Sequence, residues 1–300
     1  MIQKAQESDF SRIRAYLNLY YPPHYVKYWM SQQYSSFDSV LLPSQNGPEG
    51  FACVKHHAMT LLSERIGYSF VSHFHVNQDR REDEKKMLAE ILDDVSYRDL
   101  LVLTEAGDND ELFKQAGFVP FVTRRYYELD RTERRLNDAS GIADNYTDTE
   151  LKRTYDSYTS YFDGAMLRDE LYFRKRQEYM KMAGWKCIVY RNRSNEAEGY
   201  AVFDPSSYPM QIIEIVYLNS LALEKMVSYL LNYKDTVRFH LSQMENISRL
   251  WPNADWWDKT TVLAKISDTE LFNRLFNTDF SSSEQLMEKI KRPLFHNEVF

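Results

Sequence analysis

Along this 300-residue chain the hydrophobic period switches between helical and strand spacing in one order, and then does so again in the same order. The spacing predicts a first helix from Ser8 to Tyr20, because Phe10, Ile13, Leu17 and Tyr20 recur every three or four residues and Ser8 or Asp9 can cap it. Pro22-Pro23 breaks that helix, and an aromatic-rich one follows over 24–33. Strands read at 39–42, 50–62 and 67–76, and the short Ser63-Glu64-Arg65 connection makes the last two an antiparallel pair. A charged helix at 79–94 carries the apolar stripe Met87, Leu88, Ile91 and Leu92. A strand at 100–103, a helix at 108–115 stopped by Gly117, and a strand at 118–129 complete the first half.

The second half repeats the plan. Helices read at 149–162 and 168–182, and strands at 185–190, 199–203 and 211–218. A helix at 220–232 has Leu221, Met226, Val227 and Leu230 on its buried side, and strands follow at 237–241 and 262–266. The repeat lies in element order rather than in letters. The reading is an α/β chain with domains at 1–130 and 146–270, a charged linker at 131–145 without apolar periodicity, and a tail at 271–300.

Composition removes several classes of function. The net charge is -7, and the basic runs Arg124-Arg125 and Arg131 to Arg135 are short and interrupted, so no nucleic-acid partner is expected. No stretch approaches the roughly 18–20 apolar residues of a membrane span, and Met1 to Glu7 lack a signal h-region. Cys53 and Cys187 lie in apolar strand-like runs and read as buried free thiols, which suits a cytoplasmic location. Only 9 glycines occur and none forms GxG, which excludes both GxGxxG and GxxxxGK[ST] phosphate loops. His73 and His75 alternate along a predicted strand and share a face, but no third ligand stands at metal spacing. The segment from Leu250 to Asp258, with Trp251, Trp256 and Trp257, reads as a loop packed on a core or an interface, with a ligand platform as the alternative.

Residues 66–129 resemble the central part of a GNAT acetyltransferase domain: strand, charged loop, helix, strand, short helix, then a Gly-Phe turn into a strand. Leu112-Phe113-Lys114-Gln115-Ala116-Gly117-Phe118 looks like the family's Leu-Tyr-x-x-x-Gly-Phe signature. Over roughly residues 1–270 the chain is similar to tandem-GNAT proteins of the enhanced-intracellular-survival type. Their second domain shares three features with this one: Arg168 in a helix, Gly199-Tyr200 opening a strand, and Glu214 in the next strand. The resemblance implies two tandem GNAT-like domains with mixed central sheets flanked by helices. It also implies an N-acetyltransferase moving acetyl from acetyl-CoA to a small-molecule or peptide amine. The third, sterol-carrier-like domain of that family does not fit in the roughly thirty residues after Ile266. In related enzymes the C-terminal carboxylate acts as a base in the first domain, a role that falls here to Phe300.

By the same resemblance, the cofactor loop follows Val76 and reads [Arg/Gln]-x-x-Gly-x-[Gly/Ala], so that main-chain amides and a helix N-terminus wrap a diphosphate. Here Arg80 and Arg81 open the segment, and Asp83 and Lys85 stand where the small residues belong. Glu82, Asp83 and Glu84 suit a helix N-terminus and oppose a phosphate. The family's acid is the tyrosine of the Leu-Tyr pair; Phe113 occupies that position and cannot donate a proton, leaving Tyr126 or Tyr127 as substitutes. His73 or His75 is the candidate base. Tyr16, Tyr20, Tyr21, Tyr25, Tyr28 and Trp29, on the helices that cover the acceptor side in GNAT enzymes, suit an amine pocket or a patch for a second copy of the chain. Two functions therefore stand side by side: an N-acetyltransferase, and a catalytically silent binding protein with a degenerate cofactor loop.

Overall fold

The computed structural model describes residues 2–45, 47–135 and 140–297; Phe300 lies outside the described residues. In chain order the elements are β1 (Gln3–Lys4), α1 (Phe10–Leu17), α2 (Pro23–Gln32), β2 (Ser39–Ser44), β3 (Gly47–Leu61), β4 (Glu64–Val76), α3 (Glu82–Ser96), β5 (Leu101–Glu105), α4 (Asp110–Gln115) and β6 (Val119–Asp130). There follow β7 (Ile142–Ala143), α5 (Asp148–Thr159), β8 (Ala165–Met166), α6 (Glu170–Ala183), β9 (Lys186–Arg191), β10 (Ala197–Asp204), β11 (Met210–Tyr217), α7 (Ser220–Tyr233), β12 (Thr236–Ser242), β13 (Asp255–Ile266), α8 (Thr269–Phe276) and α9 (Glu284–Lys289). The chain forms two compact units, residues 1–121 with 261–290, and residues 122–260 with 291–297. It passes between them inside β6 and β13, not in the charged segment 131–145.

In the first unit the strand order is β1-β2-β3-β4-β5-β13. Leu62 and Ser63 both take left-handed backbone (φ 50 and 70) and close the β3–β4 hairpin, the pairing that lets a two-residue turn follow the strands' twist. Alternation then sorts side chains to two faces. Ala52 and Val54 meet Met87, Leu88, Ile91 and Val95 of α3, while Phe51 and Cys53 meet Ile13, Leu17, Val26 and Trp29 of α1 and α2. α4 ends at Gly117, whose φ of +89 favours glycine. β4 and β5 run parallel from Tyr68↔Leu101 to Val71↔Thr104 and pair no further, so the last residues of β4 leave the ladder.

In the second unit the order is β6-β12-β11-β10-β9-β7. Leu223, Met226, Val227 and Leu230 of α7 pack on Ile188, Ala201, Phe203 and Ile215. Leu151, Tyr155 and Tyr158 of α5 and Phe173 and Met180 of α6 cover the other face, on Val189, Tyr200, Val202 and Val216. Gly199 is required under α7: a Cβ there would lie 2.9 Å from the Val216 carbonyl oxygen. β11 and β12 pair only at Met210↔Val237 and Gln211↔Arg238.

Three expectations are corrected. Leu221 is 47% exposed and Leu223 takes its place in the core, because 223, 226, 227 and 230 fall at i, i+3, i+4 and i+7 on one helix face and 221 does not. Trp256 and Trp257 stand on β13, which starts at Asp255, and only Trp251 is buried. The stretch after Ile266, read as a tail, also contains α8 and α9; Leu271, Phe272, Leu275 and Phe276 of α8 stand at helical spacing, and Phe272 is buried. No helix among the described residues is long and apolar enough to cross a membrane.

Candidate functional site

The diverging end of β4 carries both candidate histidines. The β3–β4 register shifts between Phe51 and Cys53, where residues 73 and 74 of β4 face the single residue 52, and within this bulge His73 takes φ +53, an uncommon backbone for a residue other than glycine. The twist breaks the simple alternation expected for 73 and 75, yet both rings reach one cluster of α1 and α2 aromatics. His73 Nε2 lies 2.9 Å from the Tyr25 hydroxyl and Nδ1 3.0 Å from Ser72 Oγ. His75 Nε2 lies 2.8 Å from the Tyr21 hydroxyl, and its ring stacks on Tyr20 at 4.0 Å. Trp29 sits 4.5 Å from the His73 ring, and its Nε1 is buried without a hydrogen-bond partner among the described residues. Tyr16 donates to the main-chain oxygens of Glu49 and His75, fixing the strand end to α1.

Both imidazoles are neutral near pH 7. Burial, then the neighbouring His75 and Lys55, brings His73 down to about 3. Burial also lowers His75, against the opposing pull of Asp108. Burial and the nearby Glu105 raise the Tyr21 phenol. The cluster therefore combines aromatic rings, two uncharged imidazoles and the nearby acids Glu105, Asp108 and Glu49, the last paired with Arg80. Such a surround attracts a cation while leaving a base able to accept its proton.

Beyond Val76 the chain makes one 3₁₀ turn, Gln78–Arg80, and enters α3 at Glu82. Arg80 Nε donates to Asp83 at 2.6 Å and its Nη1 to Glu49, while Lys86 reaches Asp83 at 3.3 Å. Asp83 is held below the usual carboxylate range, first by its bond to Arg80. Glu82, Asp83 and Glu84 occupy the first turn of α3. Arg81 and Lys85 are exposed. Phe113 is 2% exposed and packs edge-on to Phe74 at 5.6 Å and Phe118 at 5.0 Å. Asn109 Nδ2 holds the Phe74 carbonyl at 2.9 Å.

The structure thus gathers His73, His75, Val76, Arg80 and Asp83 around one end of β4 and leaves Phe113 in the core beside it. Tyr126 and Tyr127 belong to the second unit; Tyr127 bonds to the Glu245 carbonyl, and Tyr126 stacks on Trp257 at 5.6 Å. Sequence reasoning missed Glu49, Asp108 and Asn109. The Asn109 position just before α4 was the available signal, since such residues cap and bond backbone. Among the described residues no group of three or more His, Cys, Asp or Glu could hold a metal ion.

In the first unit β4 and β5 thus run parallel, part after Val71 and Thr104, and are joined through α3. Residues 164–269 match the family model described as Acetyltransferase (GNAT) domain. Among curated proteins none matches the sequence. Among solved structures, a probable N-acyltransferase from Enterococcus faecalis superposes with TM-score 0.74 at 13% identity, covering 91% of this chain and 73% of that one. A GCN5-related N-acetyltransferase from Anabaena variabilis gives 0.76 at 11%, with 89% and 73% covered. Eis1 from Mycobacterium abscessus gives 0.65 at 15%, with 90% and 75% covered. The chain has the GNAT fold, and its likeness to Eis1 agrees with the enhanced-intracellular-survival resemblance read from the sequence.

Proposed function

We propose that the first unit receives a cationic amine, small molecule or peptide, at the His73–His75 pocket, as the acceptor side of a GNAT-superfamily N-acetyltransferase. The observation that carries this reading is the pair of neutral imidazoles tethered to Tyr25 and Tyr21 at the splayed end of β4. An amine arrives as an ammonium ion. Aromatic faces and the acids Glu49, Glu105 and Asp108 favour the charged form on entry. His75, lowered by burial, accepts the proton directly or through Tyr21, leaving a nucleophilic nitrogen. The orphan Trp29 Nε1 offers a further donor to a bound acceptor.

The donor side reads differently. A diphosphate at the start of α3 meets Asp83, already paired to Arg80 and Lys86, and two further acids. These residues do not fit the diphosphate of acetyl-CoA. Phe113, sealed among aromatic rings, supplies no proton to a leaving thiolate. Those two observations favour a second reading, a catalytically silent binding protein that keeps the acceptor pocket. Thermal melting separates the two. A ligand at 100 times its dissociation constant stabilises by about 2.7 kcal/mol. A rise in Tm with millimolar acetyl-CoA in the unmodified chain supports transfer. A rise seen only in the Asp83→Gly/Lys85→Gly variant supports the silent reading. No rise with a panel of cationic amines overturns the acceptor pocket itself.

A further inference from the structure

The second unit holds one stretch of chain the way a receptor holds a peptide. Its sheet and helices come from residues 122–260, and residues 291–297 join them after α9, which belongs to the first unit. The stretch runs beside the connection from α5 to β8. The Asp163 amide donates to the Pro293 carbonyl and the Phe295 amide to the Asp163 carbonyl, both at 2.9 Å, so that Asp163 and Leu294 form a parallel bridge. Arg292 donates to the Ser160 carbonyl.

Side chains and carbonyls of the stretch are read one by one. Phe295 enters a ring of Tyr155, Tyr158 and Phe162, with centroids 6.1, 5.4 and 5.6 Å away. His296 donates through Nδ1 to the Gly164 carbonyl at 3.2 Å. Asn297 is buried, and its Nδ2 donates to Glu214 at 3.1 Å and to the Ile213 carbonyl at 3.2 Å. Arg124 Nη2 takes the His296 carbonyl at 2.6 Å, and Arg168 Nη2 takes that of Asn297 at 2.5 Å. The receiving groups are fixed without the stretch: Arg168 and Arg176 each grip a different oxygen of Glu214, and Tyr200 donates to the same carboxylate at 2.7 Å. Main-chain bonds for affinity and a pocket for a chosen side chain are the means by which extended peptides are recognised.

The stretch is a guest of the unit rather than part of its cores. The buried side chains of both hydrophobic clusters lie between Tyr127 and Trp251, and Phe295 only packs against one of them from outside. Residues 292–295 are half-buried. A segment with few buried apolar contacts opens at lower free energy than the core beneath it.

We propose that this groove is a peptide-binding site, filled in cis by residues 292–297, and that its partner in trans is an extended protein segment presenting a phenylalanine and, two residues on, an asparagine. The tethered stretch competes with that partner. A segment in trans meets only the fraction of molecules whose own stretch has lifted, and its apparent affinity falls by that fraction.

The test titrates the full chain with a fluorescein-labelled peptide of the sequence 291–297, amidated at its end, and reads anisotropy. Binding should tighten at least about tenfold in Phe295→Ala/Asn297→Ala, whose own stretch competes less. The same peptide with alanine in place of its phenylalanine should bind that variant at least about tenfold more weakly. Binding to neither chain, equal binding to both, or indifference to the phenylalanine overturns the proposal. Should the variant not fold, hydrogen exchange on the unmodified chain decides. The Asp163 and Phe295 amides should then exchange at least about tenfold faster than those of β10, through lifting of the stretch alone. Exchange of these two amides only with global unfolding overturns it as well.

Discussion

At the scale of single residues, the pocket depends on histidines kept neutral by burial. His73 has an ordinary pKa of 6.5 in the unfolded chain and about 3 in the folded one. Between those values the unfolded chain binds the extra proton. Stability is therefore complete above pH 6.5 and falls as pH drops toward 3, by at most about 1.4 kcal/mol per pH unit. His73→Asn tolerates the left-handed backbone and removes the titration, so its unfolding free energy should vary less with pH over that window in urea titrations. His75→Gln keeps a hydrogen bond to Tyr21 but offers no base. If the pocket deprotonates an amine, the variant should bind the amine within a few-fold of the original, and any transfer should drop by about 10²–10⁴-fold. Equal activity in His75→Gln removes His75 from the role.

At the scale of elements, the helices and long strands were legible because each buries one face, and a buried face imposes a period. The stripe Met87, Leu88 and Ile91 and the hairpin around Ser63 are found where the pattern put them. β1 and β7 were not legible: two residues cannot establish a period. Nor was the twist at His73, which arises from one strand residue too many opposite Phe51 and Cys53. The ion cluster was half legible. Arg168 and Glu214 were singled out, but Arg176 joins them only once α6 is laid against β11, because pairing across a fold leaves no mark on local spacing. The exchange of Leu221 for Leu223 on the buried face of α7 gives a direct check. Leu223→Ala should cost about 2–5 kcal/mol, and Leu221→Ala within about 0.5 kcal/mol of nothing. Gly199→Ala should destabilise by about 1–3 kcal/mol, because its methyl group must displace the Val216 carbonyl or Met226. Chemical denaturation of the three variants ranks them.

At the scale of the whole molecule, each unit has its own two-sided core, built from helices on both faces of a mixed sheet. The second unit is finished by the segment 291–297. Phe295 lies among Tyr155, Tyr158 and Phe162, and Asn297 bonds Arg168, Glu214 and the Ile213 carbonyl. Asn297→Ala should leave buried donors and acceptors unmade and cost about 1–3 kcal/mol. Hydrogen exchange should then quicken at Asp163 and Phe295, whose amides hold the segment in place. Unchanged exchange at those amides shows that Asn297 does not secure it.

The first unit draws its sixth strand from residues 262–266, which pair with Leu101 to Glu105. On the ribosome, its opening 121 residues must wait with an open sheet edge while the next 139 are made. Nascent chains stalled before that strand emerges should engage holdase chaperones, and release should come once it clears the exit tunnel.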